Sequence, residues 1–541
     1  MRQSWRVLAV VLFCGSLFLG GLLGDRVLAL TDQTKANTRL FVELIEAAYE
    51  KYGEDVLYRD LVYGSIHGML RTLDPHTSFL SKEAYAQMRE KQQASFYGLG
   101  IYVGQRNGRL TVITPIPGTP AFRLGMRAGD VIAAIEGEPT DEMTTDEAIG
   151  NLKGPKDTKV NITIERAGLD EALDLEVTRA EIPQNTVRNS YMLTPEVGYL
   201  NISDFARSTG SEVARAIADL REQGMQQLIL DIRNNGGGLL DQAIEVADQF
   251  VPAGTKIVET RGRIPSSFSA YSASGNYEEL NMPLVVLVNG GSASASEILS
   301  GAIQDHDVGL VVGQPTWGKG LVQTVYTLPH GSGLALTTAR YYSPSGRLIQ
   351  RDYSSYWDYY TDYDGDVDGE KAEEQASQDE IFYTDLGRKV FGGGGVTPDH
   401  VVEPEEFAAV VQKIFSKSGF FNFAVDWNLR NPVTSKDWEP PPELYAEFKQ
   451  YVIDEELVTA EEAEEGFAEE SIQEFIKHRM QFEIFNSVFS LDDGHRAFVQ
   501  IDKQVIAALE LLSDAADLLE KRRALESREV TDIGSTDPVA P

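Results

Sequence analysis

PLVVLVNGGSASASEILSGAIQD, residues 283–305, joins a strand pattern directly to a helix pattern. Its opening residues, PLVVLVN, form an unbroken apolar run, as a strand buried on both faces requires. A glycine pair, Gly290 and Gly291, interrupts the run, and SASASEILSGAIQD then reads as a helix. A strand that turns directly into a helix sets a serine hydroxyl beside backbone N–H groups that have no partner within the helix. Small neighbours let a substrate backbone come close. Read alone, the same residues also make an ordinarily capped, Ser/Ala-rich helix start.

Outward from this junction, strands and helices alternate over residues 181–404. GYLNI (198–202) precedes a polar helical stretch around Ser211–Glu222, and QLILDI (227–232) and VGLVVG (308–313) read as further strands. The pattern predicts an α/β layer fold. Within it, LILDIRNNGGGLLDQA (228–243) places three glycines after a strand. Such glycines can aim backbone N–H groups into a cavity, as half of an oxyanion hole, and they equally make a tight strand-to-helix turn.

Residues 311–328, VVGQPTWGKGLVQTVYTL, imitate a phosphate-binding loop from Gly313 to Lys319. The imitation fails twice. Gly320 stands where the magnesium-binding Ser or Thr belongs, and LVQTVYTL reads as a strand where that loop must open a helix.

A serine hydroxyl needs a base to become a nucleophile. Of the seven histidines (His67, His76, His306, His330, His400, His478 and His495), only His306 lies near the Ser-rich segment in sequence. A Ser–His–Asp triad therefore stays open on the residues alone. A neutral lysine can do the same work. With an ordinary pKa near 10.4, only about one lysine in a few thousand is neutral at pH 7, and lowering that pKa by about 3 costs on the order of 4 kcal/mol. Lys319 sits among Trp317, Gly318, Gly320, Leu321 and Val322, with no acidic residue within several positions. That setting suits a desolvated amine, with Gln323 placed to hold it by a hydrogen bond.

The rest of the chain frames this core. Residues 31–94 read as helical, with FVELIEAAYEKYG and LVYGSIHGMLRTL at helical spacing. Residues 95–180 change to short β-branched strands bounded by Gly, Pro, Asn and Asp, with one helical stretch, TTDEAIGNLKG. An acidic, Tyr-rich insertion occupies residues 352–380. Residues 405–525 are acidic and helical again, and 526–541 read as a disordered tail.

The single cysteine, Cys14, excludes an intramolecular disulfide and a Cys-based zinc site. A net charge of −35 disfavours nucleic acid and anionic lipid as partners. Arg2 and Arg6 before an apolar run from Val7 to about Gly24 make residues 1–30 a signal peptide or a membrane anchor. Either reading puts the remainder outside the cytoplasm, in the periplasm or cell envelope. No cofactor or metal is expected. DGDVDG (364–369) matches the first half of a calcium loop, but its twelfth position is Gln375, so a solvated loop is the expectation.

Together these pieces resemble the C-terminal processing peptidases, or tail-specific proteases, over residues 60–404. GSIHGMLRTLDPHTSFL resembles that family's N-terminal helical element, and YGLGIYV through GMRAGDVIAAIEG its PDZ domain. GYLNISDF and ILDIRNNGGGLL resemble its core strands, NGGSASASEIL and GQPTWGKGLVQ its catalytic segments, and ALTTARYYSPSGRLIQ and GGVTPDHVVE its closing strands. The resemblance implies a multidomain α/β and α+β chain: a crotonase-like serine peptidase core, a PDZ domain, an N-terminal helical segment and a C-terminal helical extension.

It also implies Ser294 as nucleophile, Lys319 as base and Gln323 as its partner, with the N–H groups of Ala295 and Gly237 as oxyanion hole. Asp305 becomes structural support, and Glu297 is expected to stabilise its helix start by charge and dipole. Tyr97, Gly98, Leu99, Gly100 and Ile101 become the PDZ loop that takes a peptide as an added strand and holds its terminal carboxylate. Where the family has an arginine–glycine pair near the end of that domain, this chain has Lys153 and Gly154.

The implied activity is an endopeptidase acting on proteins with unstructured C-termini. The alternative is an inactive PDZ scaffold or chaperone that only holds tails. The C-terminal helices are left three roles: capping the site, homo-oligomerisation or binding an adaptor.

Overall fold

A computed structural model describes residues 33–275, 280–354, 359, 381–404 and 407–534, with side chains through 527. The apolar N-terminus, the DGDVDG stretch and nearly all of the acidic insertion lie outside the described residues. Among the described residues, no helix is long and apolar enough to cross a membrane.

The chain divides into two compact units. The first comprises residues up to Ser81 together with Val325–Leu336. It holds helix α1 (33–51), helix α2 (Tyr58–Leu70) and strand β1 (Ser78–Leu80). Strand β1 pairs antiparallel with residues 333–335, Phe79 opposite Leu334, and Tyr63 packs on Phe79 with ring centroids 5.0 Å apart.

The second unit holds everything else. It opens with helix α3 (Lys82–Gln93), followed by β2 (Ser95–Gly98), β3 (Ile101–Arg106), β4 (Arg109–Pro115), helix α4 (Pro120–Arg123), β5 (Val131–Ile135) and β6 (Glu138–Pro139). Helix α5 (Thr145–Leu152) starts where the Thr144 hydroxyl accepts from Glu147 N–H while the Glu147 carboxylate accepts from Thr144 N–H. Strands β7 (Lys159–Glu165), β8 (Leu173–Thr178) and β9 (Ala180–Pro183) complete a small antiparallel body, ordered β3-β4-β5-β7-β8, with β2 paired to β9 in a separate two-stranded sheet. Its core gathers Val112, Ile132, Val160, Ile162 and Val177. Alternation along β7, with Val160, Ile162 and Ile164 inward, is what a half-buried strand dictates.

The central sheet runs β10 (Val187–Met192), β11 (Val197–Ile202), β12 (Gln227–Asp231), β15 (Leu284–Val288), β16 (Leu310–Gly313) and β21 (His400–Val401), parallel except for β10. Helices α6 (Thr209–Glu222), α7 (Leu240–Ala247) and α8 (Ala295–Asp305) cover one face. Strands β13 (Lys256–Arg261), β14 (Ser269–Ser272), β17 (Leu321–Thr327), β18 (Gly333–Tyr342), β19 (Ile381–Tyr383) and β20 (Lys389–Phe391) form the remaining ladders.

Strand β15 explains its own composition. Val286 and Val288 face the core under α6–α8, whereas Val285 and Leu287 face a second core on the other side. That second face is covered from the far end of the sequence. Helices α9 (Ala409–Ser416), α10 (Gly419–Arg430), α11 (Pro442–Asp454), α12 (Ala460–Gly466), α13 (Glu470–Val488) and α14 (Leu491–Phe498) build a Phe-rich bundle around Phe420, Phe423, Phe448 and Phe475. Helix α15 (Lys503–Gly534) then lays Val505, Ala508, Leu512 and Ala515 against Tyr199, Ile229, Val285 and Leu287. Helix α15 is thus part of the sheet's own core, whereas α9–α14 share a core of their own. Helix α15 continues past residue 526, into positions expected as tail.

Candidate active site

The turn between β15 and α8 is held by its own serines. Ser292 Oγ donates to the Ile232 carbonyl (2.9 Å), and Ser296 Oγ donates to the Asn235 carbonyl (2.8 Å). Both are fully buried. The middle serine is different: Ser294 is half-buried, with φ 57° and ψ −110°, a conformation costly for a residue with a Cβ. It lies at the mouth of helix α8, and the next residue, Ala295, is the first helical one, whose N–H has no intrahelical acceptor.

The glycine-rich turn after β12 packs directly on this element. Asn235 accepts from Ala293 N–H at 3.0 Å, and its side chain donates to the Ile202 carbonyl at 2.8 Å. Gly237 has φ 93°, and a Cβ there would sit 2.6 Å from the Ala293 carbonyl oxygen, 2.8 Å from Ser294 Cβ and 2.9 Å from Ala295 N. Only glycine fits. Its N–H donates to Asn235 Oδ1 at 2.9 Å, a bond that an oxyanion would have to replace.

Lys319 enters from the loop before β17. Its Nζ donates to Gln323 Oε1 at 3.1 Å, and both side chains are half-buried. What joins lysine to serine is Glu297, only 1 % exposed. One carboxylate oxygen accepts from Ser294 N–H (2.7 Å) and Lys319 N–H (2.9 Å); the other accepts from Gly318 N–H and Thr316 Oγ1 (both 2.6 Å). The Tyr341 hydroxyl donates to the Lys319 carbonyl. Burial pushes the Glu297 carboxyl above its ordinary range, against the opposing pull of these hydrogen bonds. The sequence suggested only a charge–dipole role for Glu297. Its spacing of three after Ser294 announces the bond to the Ser294 N–H; nothing in the sequence announces the three bonds to the distant Lys319 loop.

Ser294, Ala295, Gly237, Lys319 and Gln323 line one cavity of about 330 Å³. Its apolar wall comes from Leu239, Ile298, Leu321 and Val322, and its rim carries the ion pair Lys91–Asp204 (2.6 Å), with Lys91 on helix α3. A second cavity, about 190 Å³, is lined by Gly98, Leu99, Gly100 and Ile101 with Ile116, Ile149 and Leu152. The Tyr97 side chain is exposed. Gly100 has φ 82°, and a Cβ there would meet Thr119 at 2.2 Å. Beside this cavity Lys153 Nζ lies 2.6 Å from Glu90 Oε1 and 4.6 Å from the Phe96 ring centroid.

The remaining candidates resolve by geometry. His306 is buried away from the cavity, with Nδ1 at 2.7 Å from Asp385 and Nε2 at 2.7 Å from the Lys256 carbonyl. A neutral ring donates from only one nitrogen, so this pairing favours the imidazolium. Burial opposes the charge, but the bonds to Asp385 and Lys256 outweigh it and raise the pKa. Asp305 is 2.8 Å from the wholly buried Arg347 and accepts from Ser345 N–H at 2.9 Å, a structural role.

Residues 196–354 match peptidase family S41, and residues 111–166 match a PDZ domain. A carboxy-terminal-processing protease of Bartonella bacilliformis is 38% identical over 349 residues, covering 63% of this chain and 80% of that protein. One from Synechocystis sp. is 35% identical over 371 residues, 65% of this chain and 86% of that protein. The carboxy-terminal processing protease CtpA of Bacillus subtilis is 32% identical over 349 residues, 64% of this chain and 73% of that protein. The chain belongs to the carboxy-terminal-processing proteases, the PDZ-containing serine peptidases of family S41.

Proposed function

We propose that this chain is an endopeptidase that takes protein C-termini in its PDZ domain and cuts near them with a Ser294–Lys319 dyad. The observation that carries the reading is the convergence of Ser294, Lys319, Gln323, Ala295 and Gly237 on one cavity. Neutral Lys319 removes the proton from Ser294 Oγ, which attacks the scissile carbonyl. Gln323 Oε1 accepts from the lysine amine and fixes its direction. The step requires the amine to be uncharged when it takes the proton, a state that an arginine could not reach. The Ala295 N–H and the Gly237 turn receive the developing oxyanion, a contribution of about 10²–10³ in rate per donor. The lysine returns its proton to the leaving amine, and water hydrolyses the acyl-enzyme.

The apolar wall of the cavity suits an aliphatic side chain beside the cut bond. The glycine-containing loop at 98–101 suits an added peptide strand with a free carboxylate. Residues 1–30 are proposed to export the chain or to tether it to the membrane.

The test is cleavage of an unfolded protein with an apolar C-terminus, read by mass spectrometry of the fragments. Wild-type protein should release fragments, and Ser294→Ala should release none. If both leave the substrate intact while binding its tail, the chain is a tail-holding module.

A further inference from the structure

Arg233 stands two residues past β12, at the root of the turn that carries Asn235 and Gly237. Its guanidinium is nearly enclosed, with 14 % of the side chain exposed. On one side it forks onto Asp231, Nε at 3.0 Å and Nη2 at 2.6 Å. Asp231 in turn accepts from Arg233 N–H (2.9 Å) and from the Tyr199 hydroxyl (2.6 Å). On the other side, Arg233 Nη1 reaches out of the peptidase sheet altogether. It meets Asp502 Oδ2 at 2.8 Å and Gln504 Oε1 at 2.8 Å, both at the start of helix α15. Gln504 is 4 % exposed, and its own amide donates to the Val402 carbonyl at 2.7 Å. The guanidinium is planar and its donors leave in fixed directions, so two acceptors on opposite edges set its orientation, which one would not.

We infer that Asp502 and Gln504 are positioning residues for the peptidase reaction: they fix Arg233, and through it the turn that presents Gly237 to Ser294. The path is short and continuous. Arg233 is followed by Asn234, whose N–H donates to Asn289 Oδ1 (2.8 Å), then by Asn235, which holds Ala293 N–H, Ser296 Oγ and Gly237 N–H. A shift of the Arg233 side chain therefore moves the oxyanion side of the cavity relative to the nucleophile. The inference rests on the Ser–Lys reading above and gives the C-terminal helices a role in the rate of the reaction.

The test uses the full chain with two single variants. Asp502→Asn keeps the cap that Asp502 Oδ1 makes to Gln504 N–H (2.9 Å) while losing the charge opposite Arg233. Gln504→Leu removes the second acceptor. Each should lower kcat about tenfold, equal to about 1.4 kcal/mol, with KM changed less than twofold. In an Arg233→Met background the same substitutions should cost nothing further, because their effect passes through that guanidinium. Asp502→Glu should recover most of the rate. Wild-type kcat in both single variants, or equal losses with and without Arg233, would overturn the inference while Ser294→Ala remains inactive. Cleavage that survives Ser294→Ala would instead remove the Ser–Lys reading and this inference with it.

Discussion

Glu297→Gln changes one buried oxygen to an amide nitrogen and nothing in volume. The carboxylate accepts from four close donors, two on each oxygen, with the Tyr341 hydroxyl at 3.5 Å from one of them. Whichever way the new amide points, its NH2 group faces two donors that it cannot satisfy. Hydrogen bonds to a charged group contribute roughly 1.5–3 kcal/mol each, so two lost bonds cost about 3–6 kcal/mol. Removing a buried charge recovers part of the desolvation penalty, which leaves a net loss of about 2–4 kcal/mol. Against a typical total of about 5–15 kcal/mol, the variant still folds. The catalytic loss should be larger than the loss of stability suggests, because Glu297 ties Ser294 N–H to Lys319 N–H, and the Tyr341 hydroxyl that also bridges the two residues reaches only their carbonyls. A misplacement of about 1 Å between reacting groups costs about a hundredfold in rate. Peptide turnover and a thermal melt of the same preparation give the answer. The expected result is a melt lowered by about 5–15 °C and kcat down about a hundredfold. A variant with wild-type turnover would refute the clamp, whatever its melting temperature.

Two further outcomes follow from packing and charge. His306 has its pKa raised in the fold, so the stability it contributes is complete below its unfolded value near 6.5 and is lost as pH rises through the folded value. His306→Gln should flatten that part of the stability–pH curve while leaving cleavage intact, measured by urea melts across pH 5–9; an unchanged curve would contradict the imidazolium. Leu512→Ala, on α15 at 3 % exposure, should destabilise by about 2–5 kcal/mol in chemical denaturation, as a core position of the sheet, whereas a detachable extension would leave the peptidase transition where it was.

Much of the site was legible in the sequence because its chemistry is local. The apolar run of β15, the glycines after it and the SASAS segment predict a strand–turn–helix with an exposed serine. The turn explains why the middle serine is the one presented: Ser292 and Ser296 are consumed in hydrogen bonds to the β12 turn. The glycines after β12 were legible as a tight turn able to aim N–H groups into a cavity, and the contacts a Cβ at Gly237 would make with Ala293 and Ser294 show how closely that turn packs. Two things were not legible. Glu297 bonds to residues about twenty positions away, and no spacing rule spans that distance. The C-terminal helices read as a separate extension because an amphipathic stripe says that a helix is covered, not by what. The double-sided burial of β15 was the clue: α6–α8 cover one face only, so the apolar residues on the other face required a partner from elsewhere in the chain.

Trapping the acyl-enzyme tests whether Ser294 and Lys319 act as a dyad. An activated ester substrate is quenched in acid within milliseconds, and the covalent adduct is located by peptide mass spectrometry in wild-type protein and in Lys319→Arg. An adduct is expected on Ser294 in the wild type and almost none in Lys319→Arg, since arginine keeps its proton. An adduct on another residue, or one that forms at the wild-type rate in Lys319→Arg, would contradict the dyad.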